Sequence, residues 1–327
     1  MQRLATIYGG SGFVGRYIAQ RLAKDGWRVR VACRRPNEAL FVRTYGSVGQ
    51  VEPVFANIRD DASTRAAMTG ADVVVNCVGI LAEAGKNGFD AVQADGAARI
   101  ARLAAQQGID RMVHLSAIGA DADSDSDYSR TKAEGEAAIL THLPGAVILR
   151  PSILFGAEDK FFNRFAAMAR RAPILPVVGG GTRFQPVWVV DVAHAAAQAA
   201  EGKVAPGLYE LGGPEVMTFR EMMQEMLRAI HRRALLLPVP FFVARIMAAV
   251  LDFGQTVTFG LFHNGVLTRD QVRNLERDNV VAEGRPGFAA FGIEPTALEV
   301  VLPEYLWRFR PSGQYAEIKE SARNLRT

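Results

Sequence analysis

The chain has 327 residues, 49% of them apolar, and a formal net charge of +4, which suffices for one large α/β unit or two smaller ones with a substantial core. The basic excess is mild and is not gathered into one run, so composition argues against a nucleic-acid partner, and no stretch of about eighteen uncharged apolar residues is there to cross a membrane as a simple helix. The two cysteines, Cys33 and Cys77, each fall at the end of an expected buried strand and read as core thiols of a reducing compartment; the five histidines show no ligand spacing, so no metal is expected.

Residues 4–8 form an apolar run that ends in Gly9-Gly10-Ser11-Gly12-Phe13-Val14-Gly15. An amphipathic pattern follows at once, with Phe13, Val14, Tyr17, Ile18 and Leu22 on one helical face. Strand, glycine turn and helix are the setting of a dinucleotide-phosphate site. Gly9 and Gly10 permit turn angles that a side chain forbids. Gly12 lets a pyrophosphate approach the helix N-terminus, where N–H groups and the helix dipole favour anions. Gly15 lets helix and strand pack closely. Gly9, Ser11, Gly12, Phe13, Val14 and Gly15 are therefore the candidate residues on the phosphate side. With the first strand starting almost at Met1, no leader peptide is expected, as in a bacterial cytoplasmic protein or a mature form.

A second strand, 27–33, ends in Cys33-Arg34-Arg35. A fold specific for NAD places an acid about twenty residues past the glycines to hold the ribose 2′-hydroxyl. Arginine presents a planar fork suited to phosphate instead. The reading is NADP(H), with its 2′-phosphate on Arg34 and Arg35; two solvated loop arginines are the alternative. A third strand, 51–55, leads to Asn57 and Ile58, where such folds place adenine contacts. The nearly unbroken apolar run 71–79 suits a central parallel strand covered on both faces, and its end, Cys77, Val78 and Gly79, passes the ribose and nicotinamide half of the cofactor.

An alanine-rich helix over 89–107 is closed by Gly108. The fifth strand, 111–115, delivers Ser116 to the C-terminal edge of the sheet, where ligands bind in open α/β folds. The acidic loop 121–127 runs into a helix that begins at Tyr128. Tyr128 and Lys132 stand one turn apart on one face. A phenol of pKa about 10 is a poor acid or base near neutrality, and a nearby ammonium is expected to lower that pKa while holding ribose hydroxyls. A sixth strand, 146–149, ends in Arg150-Pro151-Ser152-Ile153, with Pro151 and Ile153 as further cofactor contacts.

Beyond this point the βα alternation loosens. Phe161, Phe162, Phe165 and Met168 mark a helical face ended by Pro173. A short strand and an alanine-rich helix follow in 184–201, and Thr218 with Glu221 forms a capping box. The implied division is a nucleotide-binding unit over 1–155, a lobe over 156–307 interleaved with the sheet edge, and an extended tail over 308–327. Residues 235–262 are the most apolar stretch, with Arg245 and Asp252 the only charges and Pro238, Pro240 and Gly254 as interruptions. Two readings stand: a helix buried in the lobe's own core, or an interfacial segment resting on a bilayer or a membrane subunit. The tail is polar and basic, ordered by a partner or a disordered end.

The motifs together resemble the atypical, extended-type short-chain dehydrogenases, the NAD-dependent epimerase/dehydratase-like family. They are the glycine turn, Val75-Asn76-Cys77-Val78-Gly79, Tyr128-Ser129-Arg130-Thr131-Lys132, Leu149-Arg150-Pro151-Ser152-Ile153-Leu154-Phe155-Gly156, and Phe184-Gln185-Pro186-Val187-Trp188-Val189-Val190-Asp191-Val192. The run from Gly156 to Phe161, with Phe184 to Val187, is similar to the branch that supplies the NAD(P)H-binding accessory subunit of respiratory complex I in alphaproteobacteria. The resemblance implies an α/β fold, a Rossmann doubly wound parallel sheet with a smaller, mostly helical C-terminal lobe. It implies NADPH held without turnover. It also implies a place at the cytoplasmic face of the bacterial inner membrane, beside other complex I subunits near the quinone site, with peripheral membrane contact through 235–262 and the tail. Two departures stand out. Ser116 is followed by Ala117 where active enzymes carry a second hydroxyl, and Asn57-Ile58 replaces the usual Asp-Leu pair. The rival expectations are an NADP-dependent reductase or epimerase, possible in quinone biosynthesis, using Tyr128 as acid/base, Lys132 as its electrostatic partner and Ser116 as donor, and a redox sensor that changes partners.

Overall fold

The computed structural model describes residues 3–257, 268–311 and 313–315. Strands β1 (Leu4–Tyr8), β2 (Arg28–Cys33), β3 (Val51–Phe55), β4 (Val73–Asn76), β5 (Met112–Leu115) and β6 (Val147–Pro151) alternate with helices α1 (Phe13–Lys24), α2 (Asp61–Met68), α3 (Asp95–Gln106) and α4 (Asp127–His142). A 3-10 segment, Pro36–Tyr45, replaces a helix between β2 and β3, and a π-helical turn, Asp90–Ala94, leads into α3. The chain then enters the lobe through β7 (Leu154–Phe155), α5 (Phe162–Arg171), β8 (Ile174–Val178), β9 (Arg183–Phe184) and β10 (Val187–Trp188). It returns to the sheet with α6 (Val189–Ala200) and β11 (Gly207–Leu211). The lobe is completed by β12 (Met217–Thr218), α7 (Phe219–Ala229), β13 (Leu235–Val239), α8 (Phe241–Val257), α9 (Arg269–Leu275) and α10 (Leu298–Leu306).

The main sheet has the order β11-β6-β5-β4-β1-β2-β3, with every pairing parallel. Parallel strands need covered faces. Residues Ile7, Val29, Val31, Val73, Val75, Val113, Val147 and Leu149 face α1 and α6 on one side. Tyr8, Val74, Met112, Ile100, Leu103 and Ile139 form the second layer with α2, α3 and α4. The lobe has its own core, where Phe155, Phe162, Met222, Met226, Leu236, Leu302 and Leu306 meet. Strands are added outward in one direction from β1 to β3 and in the other from β4 onward, so the crevice that opens at that switch point is the place for a ligand.

The segment 235–262 is not one helix. Residues 235–239 add β13 in parallel to β8, and α8 starts after Pro240. Residues 258–262 of that stretch, and residue 312 and residues 316–327 of the tail, lie outside the described residues. Nor is α8 buried in the lobe's core. Its Ala244 and Ala248 pack with Val272 of α9 as a small separate cluster, while Phe242, Ile246 and Val250 are exposed.

Helix α1 meets the turn after β1 with no room for a side chain. A Cβ on Gly15 would lie 2.4 Å from the Gly9 carbonyl oxygen and 2.6 Å from Gly10 Cα. Gly15→Ala should therefore destabilise the fold by about 1–3 kcal/mol, the usual cost of overpacking. The check is a urea midpoint that falls at unchanged slope; an unshifted midpoint would mean that α1 can withdraw without cost.

Candidate functional site

The glycine turn has the geometry of a phosphate cradle. Gly9 takes φ +74° and donates its N–H to the Ala32 carbonyl (3.0 Å), tying the turn to β2. A Cβ on Gly9 would press on the Cys77 carbonyl at 3.1 Å, so the ends of β1 and β4 cross closely there. Gly12 is the N-cap of α1, with extended angles and no side chain to occupy the first-turn N–H groups, and that turn holds no acid. An anion is the natural occupant of such an end. Phe13 and Val14 begin the helix, and Ser11 lies at its mouth.

At the tip of β2, Arg34 reaches the amide oxygen of Asn87 at 3.2 Å, while Arg35 is engaged by Glu38 at 3.1 Å. Arg34 is thus the better placed to take a phosphate. On the adenine side, Asn57 Oδ1 accepts the Arg59 N–H (3.2 Å) in a local turn, and Ile58 packs against Gly96 of α3. Val78 N–H is fixed by Asn76 Oδ1 at 3.0 Å, and Gly79 lies beneath the Lys132 ammonium, 3.4 Å from the site of a Cβ. Pro151 closes β6, its carbonyl accepting Ile118 N–H, and the Ile153 carbonyl accepts Val187 N–H. The structure therefore gathers Gly9, Gly12, Cys77, Val78, Gly79 and Lys132 at one crevice. These residues fit a dinucleotide: an open helix N-terminus for the phosphates, a guanidinium at the β2 tip, and a lysine with donors to spare for ribose hydroxyls.

The acid–base residues behave differently from expectation. Lys132 is only 4% exposed and donates to the Leu115 carbonyl at 3.0 Å. Burial pulls its pKa down to about 8, with the Glu136 carboxylate opposing. Tyr128 stacks edge-on against Phe89, and its pKa is pushed up to about 12 by burial and by the carboxylate of Asp270. The expected lowering of the phenol pKa by Lys132 is thus corrected: desolvation and a nearby acid outweigh the ammonium, which is turned toward the strand ends. Ser116 is buried and donates to the Glu136 carboxylate, which is held by Arg150 at 2.8 and 2.6 Å; Arg150 also meets Glu210 at 3.5 Å. Its hydroxyl is turned into this charged network and away from a substrate.

A third component was not singled out from sequence. Helix α9, opened by a Thr268–Gln271 capping box, lies across the N-terminus of α4. Asp270 Oδ1 accepts Asp127 N–H (2.8 Å), Asn274 Oδ1 accepts the Ser129 hydroxyl (3.1 Å), and Gln271 donates to the Leu81 carbonyl (3.3 Å). Arg273 and Arg277 reach Asp125 in the acidic loop at 2.7 and 3.1 Å, and Asn279 donates to the Ile118 carbonyl at 3.2 Å. The available signal was charge: arginines at 269, 273 and 277 recur at helical spacing, opposite the acidic run 121–127. Two further side chains were given no role from sequence. His114, neutral because burial holds its pKa well below 6.5, and Gln93 sit under this edge with side-chain nitrogens that have no hydrogen-bond partner.

Comparison with known proteins places this geometry. Residues 5–212 match the model of the NAD dependent epimerase/dehydratase family. The chain is 36% identical over 316 residues to the mitochondrial NADH dehydrogenase (ubiquinone) 1 alpha subcomplex subunit 9 of Arabidopsis thaliana, covering 95% of this chain and 79% of the relative. It is 32% identical over 190 residues to a ceramide reductase of Caulobacter vibrioides, 58% of each chain. Among solved structures, Thermus thermophilus UDP-glucose 4-epimerase in complex with NAD superposes with a TM-score of 0.67 at 19% identity, over 94% of this chain and 99% of that one.

The buried lysine has a signature in pH. Folded Lys132 releases its proton near pH 8 and the unfolded chain near 10.5. Between those values the unfolded state binds more protons, so a rise in pH stabilises the fold. Relative to Lys132→Met, the wild type should gain stability from about pH 8 to about 10.5, by up to about 3 kcal/mol. Urea midpoints of both proteins across that window provide the check; parallel curves would exclude a desolvated Lys132.

Proposed function

The chain belongs to the NAD dependent epimerase/dehydratase family, and from that premise we propose that it is an NADPH-binding accessory subunit of bacterial respiratory complex I that keeps its nucleotide without turning it over. The observation that carries this reading is the placement of α9. Reduction of a carbonyl needs the substrate to reach an acid and a polarising hydroxyl at once. Here α9 and Asp270 occupy the approach to Tyr128, Tyr128 is a weaker acid than a free phenol, the Ser116 hydroxyl is committed to Glu136, and the next residue is Ala117. The phosphate cradle and Lys132 keep the means to hold a dinucleotide, and Arg34 in place of an acid favours NADPH.

A retained nucleotide has a structural use. It binds the native state alone and so stabilises it by mass action, bridging the ends of β1, β2 and β4. The similarity to mitochondrial subunits of NADH dehydrogenase along nearly the whole chain supports partners among the other complex I subunits near the quinone site. It also supports a peripheral position at the cytoplasmic face of the inner membrane, with 235–262 and the tail as contacts. Among the described residues no helix is long and apolar enough to cross a membrane. A second reading, an NADP-dependent reductase or epimerase, is favoured by one finding: Tyr128 and Lys132 are both present in a chain with similarity to a reductase.

Three measurements test the proposal, and the first and the third also separate it from the reductase reading. Gentle detergent extraction of bacterial membranes should yield the protein together with NADH dehydrogenase activity. NADPH should raise its melting temperature, and Arg34→Asp should weaken NADPH about tenfold or more while sparing NADH. NADPH should not be consumed with carbonyl or quinone acceptors. Rapid consumption that Tyr128→Phe abolishes would overturn the structural reading in favour of the reductase.

A further inference from the structure

Helix α8 carries its polarity reversed. The side turned to α9 holds the small residues Ala244 and Ala248, together with Arg245, which binds Glu276 at 2.6 Å, and Asp252, which accepts the Arg269 N–H at 3.0 Å. The opposite side holds Phe242, Ile246 and Val250, one turn apart and 65%, 61% and 65% exposed. The ribbon that precedes it repeats the pattern. Leu175, Val177 and Leu236 point into the lobe core, while Ile174, Leu235 and Leu237 are exposed. Apolar side chains clustered on successive elements in this way mark an interaction surface.

A second observation says what would cover it. Strands β8 and β13 run parallel, with Ile174 opposite Leu235 and Leu235 N–H bonded to the Pro173 carbonyl at 2.8 Å. Two arginine pairs distant in sequence, Arg170-Arg171 and Arg232-Arg233, are thereby brought to the same end of the ribbon. Phe309 joins them: the guanidinium groups of Arg170 and Arg308 lie over its ring at 5.7 and 5.2 Å, and Arg232 Nε donates to its carbonyl at 2.7 Å. Among the described residues none of Arg170, Arg171, Arg232, Arg233 and Arg308 forms an ion pair, and Glu225 of α7 is taken by Arg228.

We propose that this cluster and the apolar face that runs along the ribbon into α8 seat the protein on an anionic lipid surface, with lipid phosphates on Arg170, Arg171 and Arg233 and with Phe242, Ile246 and Val250 in the headgroup–acyl boundary. The inference rests on the peripheral-membrane reading above and adds the lipid chemistry to it. Charge complementarity selects the occupant. Guanidinium groups without carboxylates call for anions, and a leaflet of acidic lipids presents them in a plane directly above hydrocarbon. A helix of 17 residues is short for a span and long enough to lie in that plane.

Flotation of the full-length, NADPH-loaded protein tests this, using phosphatidylcholine vesicles with and without phosphatidylglycerol. The protein should float with the phosphatidylglycerol vesicles and bind pure phosphatidylcholine about tenfold more weakly, and added salt should reduce the difference. Arg171→Glu with Arg233→Glu should remove the preference for acidic lipid, and Phe242→Ser with Ile246→Ser should abolish flotation; all four sites are exposed, so the NADPH-induced melting shift should persist in both variants. Absence of flotation, or an unaltered lipid preference in the arginine variant, overturns the inference. Wild-type protein that co-extracts with NADH dehydrogenase yet ignores vesicles overturns the lipid surface alone and assigns the face to a protein. Protein that floats but never co-extracts overturns the assembly reading alone.

Discussion

The contact on which the rest of the structure depends is the one that a side chain would forbid, between Gly15 of α1 and the Gly9–Gly10 backbone. Because nothing separates them, α1 starts almost on top of the β1 tip and its unfilled N-terminus opens at the β1–β4 switch point. Gly9 closes the same junction from the other side, against Cys77. The candidate site is therefore a consequence of packing: the sheet cannot close its central layer without aiming first-turn N–H groups at the crevice. A binding geometry of this kind does not depend on the acid–base side chains. The cradle is required by the fold, whereas acid–base chemistry depends on side chains that are free to be redirected.

Redirection is what the second half of the site displays. The sum of two carboxylates and two cations, Glu136, Glu210, Arg150 and Lys132, is gathered under the sheet edge with Ser116. Buried charges must be paired and hydrogen-bonded to be tolerated, and Ser116 is one of the groups that satisfies Glu136. Releasing its hydroxyl toward a substrate would leave Glu136 short of a donor. Tyr128 is limited from the other side. Helix α9 brings Asp270 next to a phenol already short of solvent, and both effects favour the neutral form. The sequence pattern of Tyr128 and Lys132 is compatible with catalysis, but the field around it is set by residues far away in the chain.

Legibility followed the range of the interactions. Strands β1 to β6 announce themselves through local apolar runs, and the glycine turn through spacing, so the sheet and the crevice were readable. Strand β11 was not, because Gly207–Leu211 carries a buried acid, Glu210, whose charge makes sense only beside Arg150. Residues 235–239 look like the start of an apolar helix; only pairing with β8 shows that alternate residues face the core and the outside. Helix α9 is polar on every turn and resembles a surface helix until it is seen against the acidic loop. Arg34 was legible by position, its distinction from Arg35 was not, since that turns on Glu38 alone.

The lobe then has two faces with opposite tasks. Its α9 face is polar and complementary to α4, and it covers the reactive end of the crevice through hydrogen bonds and ion pairs that water also competes for. Its α8 face is apolar and turned outward. Because α8 and α9 pack on each other through Ala244, Ala248 and Val272, and Arg245 is tied to Glu276 just past α9, whatever engages the outer face also steadies the inner one. Exposed ion pairs of this kind contribute little by themselves, and burial of large apolar side chains contributes much more. The cover over Tyr128 rests on polar contacts to α4 and on the small apolar seam between α8 and α9, so on the proposed seating an occupant of the outer face would reinforce it.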